Sequence, residues 1–318
     1  MTKKMITKIF CEIDDFMQEF EEHYKKRLIE DKESQASKGS YNSKLSMSEV
    51  MTIVIYYHNY GNRTFKDFYL KSVSQQLKSY FPKLVSYNRF VELIPMVLMP
   101  LIAFLKLKRL VVSDEITFVD STKIAICHNK RIPRNRTFKG IAQRGRSTMG
   151  WFFGFKLHIA INEKGELCGA NISAGNIDDR DEKVLDAVLE NVSGKLFADK
   201  GYISKKLFEH LFEQGTLLIT SVRKNMKNRL IPLVDKLLLR KRSVIETVND
   251  QLKNMCDIEH SRSRNPLNFL VNMVAGLIRY TYFEKKPSIN FTQDERNLLL
   301  SSIDDNAQNT HFKEIVLF

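Results

Sequence analysis

The sequence predicts an α/β fold: a mixed sheet with flanking helices, preceded by an all-α N-terminal domain. Three observations predict it. Apolar residues recur at spacings of three and four up to about Arg109, the pattern becomes extended at Ile116, and strand-like and helical runs then alternate as β-β-β-α-β-α-β-α.

The helical part opens with Ile6, Phe10, Ile13, Met17, Phe20, Tyr24 and Leu28, one amphipathic stripe. A polar linker from Asp31 to Lys44 follows. Ser46 and Glu49 form a capping-box pattern before the apolar run Val50 to Tyr57, and Gly61 and Asn62 mark a turn. Phe65, Phe68, Tyr69 and Val73 predict a third helix. A fourth pattern runs from Phe90 to Leu107, where Pro95 and Pro100 are expected to kink or break it. Helix, glycine turn and helix, with Arg63, Lys66, Lys71 and Lys78 nearby, have the order of a helix-turn-helix, although solvated helix faces carry the same residues.

In the extended part, Ile116 to Asp120 reads as a short strand ending in a carboxylate. Trp151 to Ile161 and Glu166 to Ser173 read as a hairpin turning at Asn162 to Gly165. Asp179 to Val192 reads as a helix capped by Asp178 or Asp179, and Lys195 to Asp199 as a strand again ending in a carboxylate. A helix over Ser204 to Gln214, a strand over Thr216 to Val222, a basic insertion at 223–241 and a helix over Ser243 to Met255 complete the order. The expected organisation is a helical domain over 1–109, an α/β domain over 110–286 and a tail over 287–318.

The chain has 318 residues, 43% of them hydrophobic, and a formal net charge of +13. That charge is concentrated. Ser121 to Asn162 holds nine Lys or Arg, Arg131, Arg134, Arg136, Lys139, Arg144 and Arg146 among them, and no Asp or Glu. Val222 to Arg242 holds eight more against Asp235 alone. A solvated surface intersperses both signs, so these runs point to a polyanionic partner. No run approaches the roughly 20 uncharged apolar residues of a membrane span. A cytoplasmic protein without a membrane partner is expected. Cys11, Cys127, Cys168 and Cys256 form no C-x-x-C pair and read as reduced thiols.

Asp120 and Asp199 each follow a short apolar run, where α/β sheets gather ligand-binding groups. Glu246 lies on a helix whose apolar face is Val244, Val248, Leu252 and Met255. It therefore points away from that face, with Arg242, Asp250 and Lys253 on its own side. Oxygen ligands from three separate elements suit Mg²⁺, which binds carboxylate and phosphate together. Taken singly, each residue also has a plain reading as a strand-end cap or a surface ion pair. His158 stands as a site-adjacent residue or as a strand histidine satisfied by a neighbour. Trp151 stands as a base-stacking residue or as core.

Val119-Asp-Ser-Thr122, Gly154-Phe-Lys-Leu-His158, Ala198-Asp-Lys-Gly-Tyr202 and Arg242-x-x-x-Glu246-x-x-x-x-x-x-Lys253 together resemble the transposases of bacterial insertion sequences, in particular the insertion-sequence-982 family. Leu45-Ser-Met-Ser-Glu49 and Ser86-Tyr-Asn-Arg-Phe90 extend the resemblance into the helical part. It implies a ribonuclease-H-like core whose catalytic metal ligands are Asp120, Asp199 and Glu246, holding two Mg²⁺ ions that Mn²⁺ can replace. It also implies double-stranded DNA, both transposon ends and target, as partner, with a homodimer on the DNA in the nucleoid. Arg242 and Lys253 join the basic residues above as expected DNA contacts. The family's signature tyrosine is replaced here by Leu239.

Charge placement carries a first expectation. If the basic runs contact roughly six phosphates, affinity for duplex DNA falls about a thousandfold between 50 and 200 mM salt. Titrations at four salt concentrations measure the slope, and a flat response overturns the assignment.

Overall fold

The computed structural model describes residues 3–30, 43–59, 64–147, 150–222, 231–259 and 263–295. Most of the polar linker, the Gly61 turn with Arg63, the start of the basic insertion, the end of the tail, and the side chains of Tyr24 and Leu28 lie outside the described residues.

Apolar periodicity explains the N-terminal helices. Ile6, Ile9, Ile13, Phe16 and Met17 are buried along α1 (Lys3–Glu30). At α2 (Met47–Tyr57) the capping box forms: Ser46 Oγ accepts from the Glu49 amide at 3.1 Å, and Glu49 Oε2 accepts from the Ser46 amide at 2.7 Å. α3 (Phe65–Asp67) continues as a π-helix over Phe68–Gln76. The prolines do not break the fourth helix. α4 (Tyr87–Leu93) passes through a 3-10 stretch at Ile94–Val97 into α5 (Leu98–Phe104) and a π-helix at Leu105–Arg109. Pro95 stands at the start of the 3-10 stretch, where a missing amide hydrogen costs least. Tyr87–Arg109 is also long and apolar enough to cross a membrane by length and composition, which the flanking charges of Glu92 and Lys106 concealed in the sequence. In this fold Phe90, Leu93, Val97, Leu101 and Phe104 are buried, and the helix packs on α2 and α10 (Pro266–Thr281).

The sheet has six strands: β1 (Ile116–Cys127), β2 (Gln143–Ser147), β3 (Gly150–Asn162), β4 (Leu167–Ala174), β5 (Gly194–Ala198) and β6 (Thr216–Thr220). Their order is β2-β3-β1-β5-β6, with β4 also paired to β3. β1–β3, β2–β3 and β3–β4 are antiparallel, whereas β1–β5 and β5–β6 are parallel. The sheet is thus mixed, with flanking helices, as predicted.

Four details differ from the sequence reading. β1 does not end at Asp120 but runs on to Cys127, because β3 keeps pairing with it as far as Phe153. β2 was missed, its polar sequence Gln-Arg-Gly-Arg-Ser having no apolar alternation. The helix after β4 is α6 (Glu182–Val188), and its cap is Asp181 rather than Asp178 or Asp179, through the Val184 amide at 3.1 Å. Part of the basic insertion is α8 (Leu233–Lys241), which buries Val234 and Leu238 and pairs its Asp235 with Lys195 at 2.8 Å.

Each sheet face has its own core. Val119, Ala160, Leu196 and Ala198 face Leu185 and Val188 of α6 and Leu207 and Leu211 of α7 (Lys205–Glu213). Phe118, Ile124, Leu157, Ile159 and Phe197 belong to a larger core continuous with α9 (Ser243–Asn254), α10 and the helices before Arg109. On α9 the buried residues are Val244, Ile245, Val248, Asn249 and Leu252, while Met255 is exposed. All four cysteines are free thiols.

α6 lies tight against β4, and a methyl group on Gly169 would overlap the Val188 carbonyl oxygen. Because backbone rather than a side chain must yield, Gly169→Ala is expected to cost about 1–3 kcal/mol, a drop of several degrees in thermal midpoint. An unchanged midpoint would show that α6 shifts freely.

Candidate active site between β1, β5 and α9

The parallel register pairs Phe118 with Phe197, and their rings lie 5.6 Å apart on the same sheet face. Side chains alternate along a strand, so Asp120, two residues further along β1, keeps that face, and Asp199 follows directly after the end of β5. The strands part here. β5 ends at Ala198, and Asp199 opens a 3-10 turn, its Oδ1 accepting from the Lys200 amide at 2.6 Å.

α9 crosses the same face. Its Asn249 donates from Nδ2 to Asp120 Oδ2 at 3.1 Å. Glu246, one turn earlier, is exposed and accepts from Arg242 Nη2 at 3.1 Å. Burial pushes the Asp120 carboxyl up to about 6; Arg242 and the Ser121 amide oppose the shift, and the charges of Glu246 and Asp199 add to it. The three carboxylates therefore sense one another, but Glu246 is held by Arg242. Among the described residues no group of three His, Cys, Asp or Glu side chains stands close enough to hold a metal ion. Asp250 is turned to Asn254, whose Nδ2 donates to it at 2.6 Å.

A second polar group lies behind β1. Ser121 Oγ donates to Asp179 Oδ1 at 2.9 Å, and Lys156 Nζ bonds the same carboxylate at 3.0 Å and the Ile177 carbonyl at 2.8 Å. His158 is fully buried on β3, with Nε2 at 2.8 Å from Ser173 Oγ. Burial lowers its pKa to about 4. It is thus a neutral strand histidine, its Nε2 paired with Ser173 and its Nδ1 buried without a hydrogen-bond partner, on the side of the sheet away from Asp120. Tyr202 is buried between the two groups. Its phenol is raised well above the ordinary value by burial first, then by the charges of Asp120 and Asp179.

The basic residues divide. Arg131, Arg134, Arg136, Lys139, Arg144 and Arg146 are exposed, and none forms an ion pair with another described residue. Arg242 is engaged by Glu246, and Lys253 lies 3.6 Å from Glu259, both basic side chains mostly covered. Trp151 is 62% exposed rather than core, because β3 overhangs β1 at that end and Trp151 pairs only with Arg146 of β2.

Sequence reasoning missed Asn249, Ser121, Lys156 and the role of Tyr202. Asn249 lies three residues from Glu246 on a helix, and Ser121, Lys156 and Tyr202 stand inside the quoted motifs.

The fold and site define an α/β domain with one acidic residue within a central strand, Asp120 on β1, and another just past the end of its parallel neighbour, Asp199 after β5. Residues 111–266 match the family described as transposase DDE domain, a stretch that takes in the whole sheet, α6 to α9 and all three carboxylates. The match supports a DDE transposase. No curated protein matches the chain.

Asp120 carries a pH signature. Its raised pKa means that its contribution to stability is complete below about 3.8 and is lost as pH rises through about 6. His58 and His158, both lowered to about 4 by burial, act in the opposite sense, contributing above 6.5 and losing that contribution as pH falls through 4. In chelator, Asp120→Asn is therefore expected to raise stability at pH 7.5 by on the order of 2–3 kcal/mol, and to converge on the parent near pH 4. Denaturant melts at both pH values measure it; a variant less stable than the parent at pH 7.5 contradicts the assignment.

Proposed function

We propose that the chain is a DNA transposase that binds the terminal inverted repeats of its element, cleaves a phosphodiester at each end and transfers the freed 3′ hydroxyl to target DNA. The observation that supports this reading is that Asp120 on β1 and Asp199 just past the parallel neighbour β5 lie, with the helix of Glu246, inside the stretch that matches a transposase DDE domain. Asp120, Asp199 and Glu246 are the residues that would hold two Mg²⁺ ions, or Mn²⁺ in their place. Such ions activate an attacking water or hydroxyl and stabilise the leaving oxygen.

The chain's own residues supply the rest. Desolvation makes a charged Asp120 costly without a cation, so the site favours one. Asn249 and the Lys200 amide orient the two aspartates. Arg242 holds Glu246 until a cation competes for it and is then free for phosphate. The exposed arginines on and before β2 bind backbone phosphates in a sequence-independent way. Holding two ends together calls for a homodimer on DNA, and the place of action is the bacterial nucleoid. This reading follows the insertion-sequence-982 resemblance of the motifs.

Duplexes carrying the flanking inverted repeats, incubated with Mg²⁺ and scored for nicked and joined products, test it. The parent is expected to yield both. Asp120→Asn, Asp199→Asn and Glu246→Gln are expected to bind DNA normally and lose cleavage at least a hundredfold. A residue whose substitution leaves cleavage within about tenfold, or 1.4 kcal/mol in barrier, is no metal ligand. Nicking without joining would make the protein a nuclease of this fold. Binding with neither would make it a noncatalytic DNA-binding protein.

A further inference from the structure

On the Lys156 and Asp179 side of the sheet, across from Asp120, lies a concavity of about 630 Å³. Trp151, Arg144 and Arg146 from β2 and β3 stand on one wall, Asp179 and Arg180 on another, and Gly201, two residues past Asp199, borders it. Three features describe its chemistry. The wall includes the indole of Trp151, which is exposed. Arg146 is its cross-strand partner, and Arg144 lies two residues along the same strand. Arg180 is set rigidly in place by a two-pronged bond to Asp178, Nε to Oδ1 at 2.9 Å and Nη2 to Oδ2 at 2.8 Å. The floor is largely backbone: a methyl at Gly145 would overlap the Gly175 carbonyl oxygen, while at Gly201 it would meet open space.

A flat aromatic face within a ring of guanidinium groups is the chemistry that takes a nucleic-acid base on the ring and its phosphate on the cations. The shape decides the form of the nucleic acid. A duplex presents its bases only as edges in grooves, which convex elements enter, whereas a concavity of this size, within the roughly 300–1,000 Å³ range of small-ligand pockets, admits one base that has left the stack. We propose that this concavity binds an unpaired nucleotide of the DNA strand, stacked on Trp151 with its phosphate held by Arg144, Arg146 and Arg180. Its border at Gly201 lies two residues past Asp199 in the chain. Asp179, on the same wall, accepts from Ser121, the residue after Asp120, so the two sites lie on opposite faces of the same stretch of β1. The inference rests on the DNA-processing reading for the identity of the ligand, not for the existence of the site.

Trp151 is the sole tryptophan of the chain, so its fluorescence reports this site alone. In chelator, which prevents any chemistry, the protein is titrated with labelled duplexes of equal length, one blunt and one with a short unpaired 3′ overhang, and with a free deoxynucleoside monophosphate. Binding is followed in parallel by anisotropy of the label. The expected result is strong quenching by the overhang, little by the blunt duplex, and none by the monophosphate at the same concentration. Trp151→Ala, exposed and so expected to fold, should lose the preference for the overhang by roughly tenfold while binding blunt duplex as before. Equal quenching by both duplexes, quenching by the monophosphate alone, or an unchanged overhang preference in the variant overturns the proposal. If the parent binds both duplexes and leaves Trp151 unquenched, the pocket assignment fails and the transposase reading stands. If it binds neither, both fail.

Discussion

The site depends on one pairing, the parallel register that sets Phe118 beside Phe197. Only three residue pairs join β1 to β5, Ile116 to Lys195 through Phe118 to Phe197. The two rings fill the large core beneath the sheet, and a shift of one residue would turn one of the two phenylalanines to the other face. It would also carry Asp120 and Asp199 to opposite sides. The apolar core therefore fixes where the carboxylates point, although neither contributes to that core. Where the pairing stops, the strands diverge, and an acidic pair sits in the gap instead of a backbone ladder.

The same core explains why α9 can bring a third acid. Val244, Ile245, Val248 and Leu252 anchor the helix against the sheet, which leaves Asn249 facing Asp120 and Glu246 at the rim. The region is balanced electrostatically without being closed. Asp120 is desolvated and resists ionisation, Asp199 is tied to a backbone amide, and Glu246 is neutralised by Arg242.

The N-terminal helices bear on the site through packing. α10 lies against α2, α5 and α9, and the larger core runs without a break from Ile6 to Phe118 and Tyr280. His58 at the end of α2 bonds the Cys256 carbonyl just past α9, and burial lowers its pKa to about 4, so a neutral ring donates that bond at neutral pH. The helix that carries Glu246 is thus braced from the side on which the sequence shows only helical periodicity.

Much of this was legible in the residues themselves. Periods of two and of three to four set the order of strands and helices, the capping box at Ser46 was readable from four residues, and the acid-free run from Ser121 to Asn162 marked a basic surface. The carboxylates stood out because each follows an apolar run, a local signal. What local pattern could not carry was pairing. β1 extends past Asp120 because β3 offers it partners, β2 is a strand only because β3 borders it, and Trp151 is exposed because β1 stops short of it. Asn249 became a site residue, and His158 a buried neutral one, through neighbours far away in the chain. Periodicity is written residue by residue, whereas register, exposure and charge environment come from segments that meet only when the chain folds, so the tertiary structure alone decided them.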